Sequence, residues 1–232
     1  MWADIGLVLG GYLLGSVPHL AFLARLRGLK LGGDFHQGLW EKAGHVTAMV
    51  GILGEFAKGA IPVLVGRWLQ FEIGIIALAG LAAVCGQMWP VFSGFDGEKG
   101  NSIAIAMLAA LAPYVTLIAL IPVIISLIFR TVPRLAAVRR RTGETGIIGG
   151  GFSKALPVGM FVCFLAVPFI GWYLGEPPSI IWVGAALFVA IMVRRLTAGL
   201  KTDLAESRET GRVLLRRLFY DRSTVAWRDL EK

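Results

Sequence analysis

Runs of apolar residues long enough to cross a lipid bilayer, recurring through most of the chain, constrain this sequence more than any other feature. A helix needs roughly 20 mostly apolar residues to cross the hydrocarbon. Five runs meet or approach that length: Ile5–Leu26, Val46–Gly66, Ile73–Val91, Pro113–Phe129 and Leu156–Leu174. A sixth, Ser179–Val193, is shorter but carries no charge. Only 16% of the residues are charged, against about 25% in a typical soluble domain. Open sheets are excluded, because their edge N–H and C=O groups find no partner in lipid. The expected fold is therefore an all-α integral membrane helical bundle. The first run is expected to persist rather than to be removed as a signal peptide, since no basic stretch precedes it and Arg25, Arg27 and Lys30 follow it directly. Cys85 and Cys163 lie in separate apolar runs without metal-ligand spacing. They read as buried thiols, and no metal site is expected.

Charge supplies the threading. A net charge of +8 raises the question of nucleic acid, but the basic residues gather between the apolar runs instead of forming one patch. They cluster in 25–42, in 130–154 and after Val193, with Arg67 alone between the second and third runs. Basic loops stay in the cytoplasm, so these three clusters share one side and no nucleic-acid partner is expected. Under that rule Asn101–Phe129 cannot be one helix, since the 130–154 segment would then emerge on the opposite side. Proline at 113 removes a backbone donor and biases residue 112 away from helical geometry. Asn101–Leu111 then becomes a half-helix of about 16 Å at 1.5 Å per residue, too short to cross upright. The result is a seven-segment transmembrane helical bundle over residues 1–200, N-terminus outside and C-terminus inside. Residues 201–232 form a basic cytoplasmic tail. In it Leu204, Val213, Leu214, Leu218 and Phe219 interleave with Arg208, Arg212, Arg216 and Arg217. Such a segment reads either as an amphipathic helix on an anionic leaflet or as a solvated tail.

The stretch Trp89–Asn101 carries the most chemistry. It leaves an apolar run, turns through Gly94, Gly97 and Gly100, and enters the half-helix. Asn101 or Ser102 is expected to cap that helix. Free N–H groups, the positive helix end and Lys99 together offer an anion site. Glu55 and Lys58 stand three apart within a span, where charge is costly, so a structural ion pair is expected, with substrate contact second. Ser16 suits close helix packing. His19, which follows Pro18, is expected to be packed or hydrogen-bonded.

Three segments in order carry a family likeness: Gly11–Tyr12–Leu13–Leu14–Gly15–Ser16–Val17–Pro18, then Glu55–Phe56–Ala57–Lys58–Gly59, then Trp89–Pro90–Val91–Phe92 leading to Glu98–Lys99–Gly100. They resemble the G-S-x-P first helix, the D-x-x-K-G second helix and the G-H-x-x-P-V-F…G-G-K-G loop of the bacterial acyl-phosphate glycerol-3-phosphate acyltransferase family (the PlsY family). The resemblance runs from Gly11 to about Val132, is loose from Gly146 to Leu200, and ends there. Several positions depart from it. Gln87 stands for the family's histidine, Asp96 for a basic residue, and Glu98 for the second glycine. A further family phosphate signature is replaced by Gly32–Lys42, and a late H-x-x-N falls on Arg195 and Ala198.

The resemblance implies a multi-pass protein of the bacterial inner membrane with its site toward the cytoplasm. It implies that a hydroxyl of glycerol 3-phosphate attacks an acyl phosphate to give lysophosphatidic acid, a step of phospholipid biosynthesis needing no cofactor. Lys99 with the backbone of Gly97, Gly100 and Asn101 would hold one phosphate, and Arg194 and Arg195 the other, by bidentate geometry. His36 and His45 flank the replacement segment and are the candidate bases. Two other readings remain open: a repurposed relative that binds a membrane lipid or a partner protein, and a small transporter, to which a broken helix also points.

Overall fold

The computed structural model describes residues 1–29, 39–40, 42–139, 155–206 and 210–220, and the regular structure in them is helical. In chain order these are α1 (Trp2–Ser16), α2 (His19–Leu26), α3 (His45–Trp68), α4 (Ile73–Met88), α5 (Asn101–Leu111), α6 (Pro113–Ala119), α7 (Ile121–Arg139), α8 (Ala155–Tyr173), α9 (Pro178–Thr197), α10 (Leu200–Glu206) and α11 (Thr210–Tyr220). Five stretches among the described residues are long and apolar enough to cross a membrane: Trp2–Leu26, His45–Trp68, Ile73–Ser93, Ala155–Tyr173 and Pro178–Thr197. Asn101–Leu111 and Pro113–Phe129 are shorter apolar segments. The protein is an all-α integral membrane bundle, as the apolar runs require.

Small residues set the tightest seam. Gly11 and Gly15, four apart on α1, lie against the backbone carbonyls of Ala79 and Ala83 on α4, and a Cβ at either glycine would overlap those oxygens. Where lipid replaces water, helices associate through such close contact rather than through burial of apolar area. α3 and α5 pack beside this pair, and α8 and α9 complete the core around Met107, Phe164, Leu187 and Ile191. Large apolar side chains such as Leu53, Leu117, Phe169 and Val189 point outward, as expected of a surface that meets hydrocarbon.

Two breaks interrupt the bundle, and a third point of exposure lies at the end of α9. α1 stops at Ser16, and the N–H of His19 turns to Val17 (2.9 Å) instead of reaching back to Gly15. Lys58 of α3 supplies the missing donor, with Nζ 3.0 Å from the Gly15 carbonyl and 3.1 Å from that of Val17. α5 ends at Leu111, where residue 112 leaves helical geometry (φ −142°, ψ 78°) before Pro113. Arg67 donates to the stranded Leu111 carbonyl at 2.6 Å. Beyond it, α6 and α7 run nearly head to tail, joined by the Ile124 N–H to Leu120 carbonyl bond (2.9 Å). Asn101–Leu111 thus has the bounds that the proline argument gave it.

The glycine seam is directly testable. Gly15→Ala is expected to lower stability in lipid by about 1–3 kcal/mol, the usual range for overpacking. Gly10→Ala, on the open side of α1 with nothing within 4 Å, is expected to leave it unchanged. Denaturant titration of both variants in bilayer discs checks this.

Candidate anion site at the basic end of the bundle

The turn after α4 is built by its backbone. A short 3-10 turn, Val91–Ser93, follows Pro90, and both Gly94 and Phe95 take left-handed geometry (φ 64°). Phe95 N–H returns to the Pro90 carbonyl at 2.9 Å, and Glu98 N–H to the Gln87 carbonyl at 3.1 Å. Gly97 is pressed between the Gln87 carbonyl and the Pro90 ring, so a Cβ has no room there. Gly100 sits at φ 74°, ψ 9° and is itself the N-cap of α5. This corrects the expected cap: neither Asn101 nor Ser102 takes that position, and no side chain caps the helix. The positive φ of residue 100 is easily reached only by glycine. The N–H groups of the first turn are therefore not consumed by a capping side chain, and the buried Asn101 Oδ1 has no partner among the described residues.

Two neighbouring arginines part ways here. Arg194 is buried, and its Nη2 donates to Asp96 Oδ1 at 2.7 Å and also to the Gly97 carbonyl. It clamps the turn. Arg195 lies one residue on, about 100° around the helix, and points away. Its Nη1 donates to the carbonyls of Pro157 on α8 (3.3 Å) and Leu218 on α11 (3.2 Å). Gly97, Lys99, Gly100, Asn101 and Arg194 therefore come together, with Lys99 exposed at the rim, whereas Arg195 does not join them.

A buried polar layer lies behind the turn. Gln87 Nε2 donates to Glu55 Oε1 at 2.6 Å, so one residue joins the α3 carboxylate by its side chain and the turn by its carbonyl. Glu55 and Lys58 are both buried on α3, and Lys58 is committed to the end of α1. Ser16 donates to the Tyr12 carbonyl (2.9 Å), and the Tyr12 hydroxyl donates to the Trp89 carbonyl (2.7 Å), tying α1 to the start of the turn. His19 Nε2 bonds the Gly51 carbonyl at 2.9 Å. His45 is the exposed first residue of α3, its ring 4.4 Å from that of Trp40. His36 and most of the Gly32–Lys42 replacement lie outside the described residues.

Gln87 and Asp96 are the residues that sequence reasoning did not assign to the site. Both stand at departures from the family pattern, and the Asp96 departure was itself the signal: an acid in place of a base faces an arginine.

The fold is that of a multi-pass helical membrane protein with a glycine-built turn opening a buried half-helix. The sequence profile described as glycerol-3-phosphate acyltransferase matches residues 5–201, and the chain belongs to that family. It is 27% identical over 224 residues to glycerol-3-phosphate acyltransferase 4 of Dehalococcoides mccartyi, covering 91% of this chain and 86% of that one. It is 30% identical over 172 residues to a glycerol-3-phosphate acyltransferase of Geotalea daltonii, covering 72% of this chain and 89% of that one. Among solved structures it resembles PlsY (YgiH), an integral membrane glycerol 3-phosphate acyltransferase. The lysophosphatidic acid form superposes with a TM-score of 0.64 at 22% identity, covering 88% of this chain and 93% of that one. The glycerol 3-phosphate form gives 0.62 at 21%, with the same coverage. At this identity the likeness is one of fold.

The Arg194 clamp predicts a local effect. Arg194→Gln removes a charged hydrogen bond worth about 1.5–3 kcal/mol, so exchange of the Phe95 and Glu98 amides is expected to quicken at least tenfold. Arg195→Gln is expected to spare those amides and loosen α11. Hydrogen exchange resolved by peptide reads both.

Proposed function

We propose that this chain transfers an acyl group from an acyl phosphate to glycerol 3-phosphate, giving lysophosphatidic acid and phosphate. The observation that carries the proposal is the glycine turn. It presents the uncapped first N–H groups of α5 beside Lys99, in a chain of the glycerol-3-phosphate acyltransferase family. The glycerol hydroxyl oxygen bonds the acyl carbon while the bond from that carbon to the phosphate oxygen breaks. The hydroxyl proton leaves with the phosphate, so no metal or redox cofactor is required. Charge develops on the carbonyl and the departing phosphate, where fixed N–H donors and a cation lower the barrier. The first turn of α5 and Lys99 hold phosphate, and Arg194 acts indirectly by fixing the turn. Arg195 serves the packing of the C-terminal helices. The positive-inside rule supports a site facing the cytoplasm of the bacterial inner membrane, with the N-terminus outside.

One observation favours the second reading, a relative that binds lipid without turning it over. Arg194 already engages Asp96 and Gly97 of its own chain. The assay separates the two. Purified protein in bilayer discs is given palmitoyl phosphate and radiolabelled glycerol 3-phosphate. Lysophosphatidic acid is expected from the wild type, with a loss of about 100-fold in Lys99→Ala, the scale of one removed transition-state donor. No product from folded wild-type protein would leave the binding-only reading in place.

A further inference from the structure

Helix α11 and all but the first two residues of α10 lie beyond residue 201, where the match to the family ends. A solvated tail would leave its charges in water, but Arg217 of α11 is only 3% exposed and Asp203 of α10 only 1%. The two form an ion pair, with Arg217 Nε 2.7 Å and Nη2 2.6 Å from the same carboxylate oxygen, Oδ2. Taking two charges out of water costs about as much as their attraction returns, so the pair calls for a role beyond that attraction.

The third guanidinium nitrogen supplies one. Arg217 Nη1 donates to the carbonyls of Arg195 (3.2 Å), Leu196 (3.4 Å) and Ala198 at the end of α9. The last carbonyls of a helix have no donor within it, and a cation there also meets the negative end of the helix. Ala198 joins this contact to the site. Its carbonyl takes Arg217, while its N–H bonds the carbonyl of Arg194 at 3.0 Å. Arg194 in turn holds Asp96 and the Gly97 carbonyl. The side chain of Arg195 stands outside this path, because it ties α11 to α8 through Leu218 and Pro157.

We propose that Asp203 and Arg217 are positioning residues of the anion site. Asp203 aims the guanidinium, the guanidinium holds the last carbonyls of α9, and that turn of α9 keeps Arg194 where it clamps the glycine turn. That the clamped turn holds phosphate rests on the function proposed above, whereas the connection from Asp203 to the turn does not. Arginine suits position 217 because its planar fork serves a carboxylate on one edge and carbonyls on the other, which the point charge of lysine cannot do.

The test follows amide exchange of the full chain in bilayer discs. Asp203→Leu combined with Arg217→Met removes both charges together, a change that buried ion pairs often tolerate. The Phe95 and Glu98 amides are expected to exchange about fivefold faster, while those of α3 and α4 stay unchanged. In an Arg194→Gln background the same two substitutions are expected to add less than about twofold, because the path to the turn is already cut. Arg217→Lys keeps the charge opposite Asp203 and is expected to show the same pattern to a smaller extent, so the comparison does not depend on the double variant folding. Glycerol 3-phosphate binding, followed by calorimetry on the same discs, is expected to weaken about fivefold in the double variant. Unchanged turn amides in both variants, with α11 exchanging freely, would overturn the proposal, since the C-terminal helices would then only pack. Equal quickening with and without Arg194 would also overturn it, because the effect would then be a general loosening. A wild type that binds no glycerol 3-phosphate would instead remove the phosphate reading of the site and leave amide exchange to decide the proposal.

Discussion

A backbone carbonyl left without a donor inside a membrane is strongly disfavoured, and this chain repeatedly answers that constraint with a cation from another helix. Lys58 caps the end of α1 and Arg67 the end of α5, and Arg217 meets the last carbonyls of α9 at its boundary end in the same way. Each side chain would be costly in hydrocarbon by itself. Each is tolerated because it meets carbonyls that the interrupted helix can no longer serve. Without these donors the carbonyls at the breaks would be stranded.

The half-helix α5 is what the site depends on. Its first turn must open beneath a tight loop, and Gly97 and Gly100 meet the two demands by leaving space and by taking positive φ. Arg194 then holds the loop from α9, while Gln87 joins it to the buried carboxylate of Glu55. The turn is thus held largely by backbone geometry, through the space left at Gly97, the positive φ of Gly100 and the returns to the Pro90 and Gln87 carbonyls.

The apolar runs and Pro113 made the spans and the half-helix legible, because both signals are local. The glycine turn was legible for the same reason. What stayed hidden depends on residues distant in sequence. The Gly11 and Gly15 seam needs Ala79 and Ala83 opposite it, and the Arg194 clamp needs Asp96, 98 residues away. Adjacent arginines look equivalent in a sequence, yet the helix turns Arg194 to the loop and Arg195 to α8 and α11. The tail pattern left an amphipathic helix and a solvated tail both open, and nothing in it singled out Arg217 for burial. Asp203, an inconspicuous acid in the sequence, is the partner that lets it be buried.

The most direct test of cation-capped breaks is the denaturant stability of Lys58→Met in bilayer discs, with the exposed Lys42→Met as reference. Methionine keeps much of the side-chain volume and removes the donor. A loss of about 2–5 kcal/mol is expected, the scale of stranding buried carbonyls, with the earliest loss of amide protection at the α1–α2 junction. Stability equal to that of Lys42→Met would contradict the account, because the Gly15 and Val17 carbonyls would then need no cation.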